Sequence, residues 1–248
     1  YKPGKFNFRA SYAAGFRTPT LSELYATDIA KKNDRLTIGN LDLKPEKNNY
    51  FSLSAEYVHE RFSVSVNAFY NNIRDMIDYN TIATGDKAME QYGHKEVRQR
   101  DNIAEAKVHG INVSANAYLG AGFNLSGGYT HLNTQDVELE QPIDKSIKNA
   151  YNINAQWAHS WKIYRLNINL NGRINSKRFS KSYGYAPEYQ LWDLNTRHSF
   201  NLKSVIIEPG FGMENLFDYM DDRPYNSNYA TLTPGRSFYI SLSLKFKS

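Results

Sequence analysis

Residues 164–175, YRLNINLNGRIN, alternate in polarity: Leu166, Ile168 and Leu170 fall on one parity, Asn167, Asn169 and Asn171 on the other. Successive side chains of a strand point to opposite faces, so this stretch reads as a strand with one oily face and one lined with amides. The pattern recurs down the chain. Phe51, Leu53, Ala55 and Tyr57 oppose Ser52, Ser54 and Glu56; Ile111, Val113, Ala115 and Ala117 oppose Asn112, Ser114 and Asn116. Near the C-terminus Phe238, Ile240, Leu242, Leu244 and Phe246 oppose Ser237, Tyr239, Ser241, Ser243 and Lys245.

This periodicity predicts ten strands, at roughly 5–16, 48–60, 62–79, 97–119, 122–133, 149–160, 163–176, 189–201, 205–217 and 236–246. Residues 20–32 are expected to hold a short helix inside a connection. Tight turns near 60–61, 119–122, 161–163 and 202–204 alternate with long segments at 17–47, 80–96, 134–148, 177–188 and 218–235. In an up-and-down meander every second connection lies at the same end. All the long segments therefore emerge together, opposite all the short turns, as in outer-membrane barrels. The fold class expected is all-β, a transmembrane antiparallel up-and-down β-barrel.

The oily parity is nearly free of charge in mid-strand, and the opposite parity carries Ser, Asn, Thr and Gly rather than the Lys and Glu of a soluble surface. Strands of this length exceed the five or six residues common in soluble sheets. The mean hydropathy of −0.63 is compatible with a membrane barrel, whose strands need only ~9–11 residues and alternate. The 19 Tyr, 13 Phe and 3 Trp suit strands and interfacial girdles. Zero cysteines exclude disulfides and thiol chemistry, and the net charge of +5 is scattered, with no basic stripe for nucleic acid.

Three stretches carry a family resemblance. RASYAAGFRTPTLSELY (9–25) with GNLDLKPEKNNYFSLSAEY (39–57) resembles the paired FRAP and NPNL boxes of TonB-dependent outer-membrane receptors of the haem, siderophore and cobalamin group. The residues that match are Phe16, Arg17 and Pro19, then Asn40, Leu41, Leu43, Pro45 and Glu46. FYNNIRDMIDY (69–79) with NIAEAKVHGINVSANAYL (102–119) is similar to a mid-barrel hairpin of that family. ENLFDYMDDRPY (214–225) with TPGRSFYISLSLKF (233–246) resembles its C-terminal signature, through Asn215, Leu216, Phe217, Gly235, Arg236 and Phe246. On their own, these residues read mainly as turn chemistry: prolines that end strands, and Asn and Asp that bond their own backbone.

The resemblance implies a barrel of about 22 strands around an N-terminal plug, of which residues 1–248 are the C-terminal portion, lacking the plug and the N-terminal strands. It implies the outer membrane, with the long loops extracellular. It implies import of a ferric siderophore or haem, with cobalamin as the alternative, driven through the TonB energy-transducing complex. No enzymatic step and no cofactor are expected. The reading from a different class, a ten-stranded outer-membrane hydrolase, would use His94 or His131 as its base.

Candidate ligand residues lie in the long segments. His94, with Tyr92 and Met89 nearby, is placed to meet a ligand, and Tyr25 stands between the two boxes, where haem receptors usually carry a histidine. Tyr183, Tyr185 and Tyr189, with Lys177, Arg178 and Lys181, make an aromatic and basic loop suited to a planar or anionic ligand. Asp218, Asp221 and Asp222 raise a calcium site without a calcium-loop spacing. His59, His109, His159 and His198 are expected to be structural or interfacial.

Overall fold

Ten long strands form one antiparallel meander in the computed structural model, which describes residues 4–180, 184–221 and 233–247. They are β1 (Phe6–Arg17), β4 (Glu46–Val58), β5 (Phe62–Thr84), β6 (Glu96–Gly120), β7 (Phe123–Asp136), β8 (Asn149–Trp161), β9 (Tyr164–Asn175), β12 (Tyr189–Asn201), β13 (Val205–Glu214) and β14 (Ser237–Phe246), paired in that order. These are the ten strands the alternation predicts. The connections at 59–61, 121–122, 162–163 and 202–204 are short, and all lie at one end.

The long connections are more structured than the sequence reading allows. The short helix expected within 20–32 forms as α1 (Leu21–Tyr25); beyond it the chain turns extended as β2 (Thr27–Ala30), which pairs antiparallel with β3 (Arg35–Ile38). Between β5 and β6 lies α2 (Gly85–Tyr92), and β10 (Arg178–Ser180) pairs with β11 (Gly184–Ala186) between β9 and β12. β3 runs parallel to the start of β6, with Leu36 opposite Val97.

The two faces of the meander differ as predicted. On the oily parity Phe8, Tyr12, Leu53, Val64, Ile111, Leu125, Ile153, Phe211, Ile240 and Leu242 are all exposed. On the other, polar side chains bond across strands: Asn154 Nδ2 donates to Asn169 and Asn171 Oδ1 at 2.7 and 2.6 Å, and Ser65 and Ser114 hydroxyls meet at 2.8 Å. Tyr239 reaches from β14 over β13 to Asn195 Oδ1 at 2.5 Å. Its ring occupies the space a Cβ at Gly212 would fill, so that position admits no side chain without displacing the tyrosine. A cleft of about 480 Å³ opens on this face, walled by Asn154, Gln156, Asn167, Asn169, Asn195 and Arg197 among others.

Large apolar residues stay exposed because no second layer packs on the sheet among the described residues. The buried apolar side chains sit instead at the long-connection end, where Leu36, Ala88 and Val97 form a small core with Ile38, Ala83 and Tyr92 packed on it. Aromatic contacts gather at the short-turn end: Phe6–Tyr57 at 4.8 Å, Phe123–Trp157 at 5.9 Å, His159–Trp161 at 4.4 Å and Trp161–Tyr164 at 5.6 Å. His159 belongs to this belt, as do His59, stacked on Phe62, and His198, 2.7 Å from the Tyr164 hydroxyl. β1 and β14 each have one partner, so the meander is open among the described residues.

Candidate functional site

The rim at the long-connection end is built on one arginine. Arg17, last in β1, faces Glu46, first in β4, in the register of the two strands. Its Nε and Nη2 donate to the two Glu46 carboxylate oxygens at 2.7 and 2.5 Å, a bidentate pair. Its Nη1 and Nη2 also reach Glu23 at 2.9–3.2 Å. Glu23 is the third residue of α1, and Thr20 caps that helix. Glu23 N donates to Thr20 Oγ1 at 3.3 Å, and Thr20 N donates back to the Glu23 carboxylate at 2.8 Å. Arg17 and these cap bonds hold the Glu23 carboxyl down to about 2. Glu46 Oε1 also accepts Ile77 N of β5 at 2.9 Å. The first box, the second box and the mid-barrel hairpin are thus joined at one guanidinium.

The rest of the second box closes around α1. Gly39 packs so tightly on the helix that a Cβ there would lie 2.5 Å from Leu24 O and 2.8 Å from Tyr25 N. Asn40 N donates to Glu23 O at 3.0 Å, and Asn40 Oδ1 accepts Asp42 N at 2.9 Å. Asn102 of β6 bonds the Lys44 backbone in both directions, 2.7 Å from N and 2.9 Å from O, as a neighbouring strand would. Leu43 is buried, while Leu41 and Phe16 are exposed and Pro19 is half-buried.

Tyr25, Tyr92 and His94 belong to the two connections that β3 and β6 join. Tyr25 is 68% exposed. Tyr92 packs against the small core, whereas Met89 is exposed. His94 Nδ1 lies 2.9 Å from Asp34 Oδ1 in the β2–β3 turn, and that contact lowers the Asp34 carboxyl. Gly93, left-handed at φ 71°, ends α2 just before it.

Arg178 and Tyr185 lie in the other group of connections, with β7 and β8 standing between the two groups in the sheet. Tyr185 is exposed and meets Phe179 edge-on at 5.3 Å. Arg178 bridges to Ile147, and Phe179 exchanges backbone bonds with Lys145 and Ser146 at 2.9 Å, so the β7–β8 and β9–β12 connections are tied together. Tyr189 stacks on Tyr219 at 5.8 Å. Tyr183 and Lys181 lie outside the described residues, as does Asp222.

The C-terminal signature is a second polar knot. Asn215, buried and left-handed at φ 52°, donates from Nδ2 to Tyr219 O at 2.8 Å and Pro234 O at 3.1 Å. Its Oδ1 accepts Tyr219 N at 2.8 Å, and its own N–H goes to Asp193 Oδ1 at 2.9 Å. Asp218 Oδ1 accepts Arg236 N at 2.6 Å beside Gly235. That carboxylate serves the backbone, and among the described residues no cluster of three His, Cys, Asp or Glu could hold a metal. Leu216 N bonds Trp192 O at 2.7 Å, Phe217 meets Trp192 edge-on at 6.4 Å, and Phe246 ends β14 exposed.

The sequence reading misses two features of this rim. One is the Arg17 junction, which opposite charges at the last position of a β1–β4 pair could have revealed. The other is Arg100, whose guanidinium lies 3.6 Å over the Tyr79 ring and donates to its hydroxyl at 2.5 Å. His131, placed near the rim, has Asn149 Oδ1 at 2.8 Å as its partner.

The same architecture is present in solved structures. The ferric enterobactin receptor PfeA of Pseudomonas aeruginosa, in a mutant form in complex with enterobactin, aligns over 98% of this chain and 39% of its own, at 20% identity and a TM-score of 0.76. The ferric preacinetobactin receptor BauA of Acinetobacter baumannii aligns over 98% and 34%, at 16% identity and 0.68. The copper transporter OprC aligns over 96% and 36%, at 14% identity and 0.69. The chain thus spans little more than a third of the receptors it resembles. The family model described as TonB dependent receptor-like, beta-barrel, matches residues 1–216, and the chain belongs to that family.

Proposed function

We propose that this chain is the C-terminal part of the wall of an outer-membrane importer for a ferric siderophore. Its long connections then lie outside the cell and its short turns in the periplasm. The observation that carries the reading is the pair of faces on the meander. An exposed apolar face with no protein layer over it calls for lipid, and a face of Asn, Ser and Gln calls for water or a polar plug. Along β8 the outward aromatics Tyr151 and Trp161 are ten residues apart. That is ~33 Å of strand, and ~25 Å of height at a ~40° tilt, matching the apolar band of such barrels. Closure with further strands to about 22 removes the free edges of β1 and β14, which lipid does not tolerate.

The siderophore reading draws on relatives named for ferric enterobactin and ferric preacinetobactin. It also draws on the exposed aromatics and cations of the rim. The protein performs no bond chemistry; energy reaches it through the TonB complex, by way of a plug. Haem is favoured less, because Tyr92 is packed against the small core and the relatives reported above are named for siderophores and copper.

The test is titration of the purified full-length receptor in detergent with ferric enterobactin, followed by tryptophan fluorescence, with hemin and cyanocobalamin as parallel probes. Saturable quenching at submicromolar ferric enterobactin is expected. A tight Soret shift with hemin and no response to the siderophore would overturn the choice of ligand. Binding of none of the three would overturn the importer reading.

A further inference from the structure

One exposed ring at the rim stands on an unusually well-braced backbone. Tyr25 ends α1, and its hydroxyl meets no partner among the described residues. Its peptide is covered by Gly39, which leaves no room for a methyl group. Ala26, next in sequence, bonds from N to Ser22 O at 3.0 Å and accepts Gly39 N at 2.8 Å. One turn back, Glu23 ties the helix to Arg17 through its carboxylate and to Asn40 through its carbonyl. Arg17 passes that restraint to Glu46, and Glu46 passes it to Ile77 of β5. The chain of contacts runs without a gap from the ring's own helix to three strands of the wall.

Arg17 cannot serve as an anion site in this arrangement. Its Nε, Nη1 and Nη2 all donate to carboxylates, and the two carboxylates outweigh its charge. Its contribution to a ligand must pass through what it holds. We propose that Arg17, with Glu23 and Glu46, is a positioning group for ligand recognition. It fixes the backbone from which the exposed Tyr25 ring projects, so that the ring is presented at a set place as a stacking and hydrogen-bonding contact for an aromatic iron chelate arriving at the outer mouth. This rests on the importer reading. The physical gain is that a ring whose backbone is already held has only its side-chain torsions left to order on binding, so more of the stacking energy appears as affinity. The Glu23 carboxyl, held down to about 2, stays charged throughout the ordinary range of growth pH, so the brace does not loosen there.

A double-mutant cycle in the full-length receptor tests this, with ferric enterobactin as the probe and Kd from fluorescence quenching. Tyr25→Ala and Arg17→Met are each expected to weaken binding about tenfold, a typical loss for one good aromatic contact. The double variant is expected to bind no worse than the weaker single one, because Arg17 acts only through the ring. Arg17→Lys, which keeps the charge but not the fork, should fall between wild type and Arg17→Met. Amide exchange over Leu21–Tyr25 should quicken in Arg17→Met while the melting temperature of the barrel in detergent holds. An unchanged Kd in either single variant overturns the proposal, as does a double variant whose losses multiply toward a hundredfold. A receptor that binds no ferric enterobactin in its wild-type form overturns the importer reading for this ligand class, and this proposal with it.

Discussion

The wall and the rim above it are held by different means. The wall has continuous backbone ladders and cross-strand amide and hydroxyl pairs, but among the described residues no buried apolar core: its large side chains face outward. The rim has short, irregular elements, a small core of Leu36, Ala88 and Val97, and two polar knots at Arg17 and Asn215. Under the proposed function the wall draws its hydrophobic stabilisation from a lipid surround, whereas the rim draws its own from internal packing. A change in one region should therefore leave the other standing.

The largest effect should follow from placing charge on the wall's apolar face, which the proposed function puts in lipid. Leu170 lies mid-strand, level with Ala155 and Leu194 on the outward parity. Leu170→Arg should cost ~2–4 kcal/mol in urea unfolding of the full-length receptor in lipid vesicles. Asn169→Arg, one residue away on the inward face, should cost clearly less. Equal losses at the two positions would break the distinction between faces.

In the rim, Leu36→Ala removes a buried side chain from a core of few members. A local loss of ~2 kcal/mol is expected, at the low end of the usual range because a small core collapses more readily. It should appear as faster amide exchange in β3, α2 and the first residues of β6, with the unfolding midpoint of the wall unmoved. A drop in that midpoint would mean that rim and wall unfold together.

Asn215→Ala sharpens the comparison where the two regions meet. Three side-chain bonds vanish, backbone groups of Tyr219 and Pro234 lose their partner, and alanine takes over a left-handed backbone. About 1–2 kcal/mol is expected, together with slower assembly of β14 onto β13, measured by refolding into vesicles. Normal refolding would assign the knot to the rim alone.

The wall is legible in the sequence because one face of the sheet is apolar and the other polar, which sets a two-residue period along the strands. That legibility ends where the period breaks. Alternation predicts that β5 stops near 79, but it runs to Thr84. Register shifts after Ile73 and again near Thr81 change the parity, and Asp75 turns left-handed at φ 57°, so alternation no longer marks the strand. The β2–β3 and β10–β11 hairpins are three or four residues per strand, too short for any period to register. β3 beside β6 is a pairing across some 60 residues of sequence that no local pattern encodes. At the candidate site, Tyr25, His94 and Arg178 were recognisable as residue types in long connections. Whether each is free depends on contacts invisible in one dimension: Asp34 engages His94, while Tyr25 stands clear. The boxes read as turn chemistry because Arg17 and Glu46 lie 29 residues apart. Only the register of β1 on β4 makes them neighbours.

The smallest expected effect is a titration confined to the rim. The Glu23 carboxyl, ordinarily at 4.5, is held down to about 2 by Arg17 and the Thr20 cap. A depressed carboxyl stabilises the folded form fully above its free value and loses that contribution as pH falls through its folded one. The grip on α1 should thus be unchanged from neutral pH down to about 4.5, weaken below it, and be gone beneath about 2. Pepsin works across that window and cleaves beside residues such as Leu24 and Tyr25. Its own pH dependence cancels when the wild-type cleavage rate is divided by that of Glu23→Gln, which cannot titrate. The ratio should lie well below one near pH 4 and climb to one as pH approaches 2, because protonated Glu23 then offers Arg17 no more than the amide does. The unfolding of the wall should show no step tied to this ratio. A ratio that stays flat would mean that the cap bonds and Gly39 hold α1 without Arg17, and that rim and wall meet through backbone packing rather than through charge.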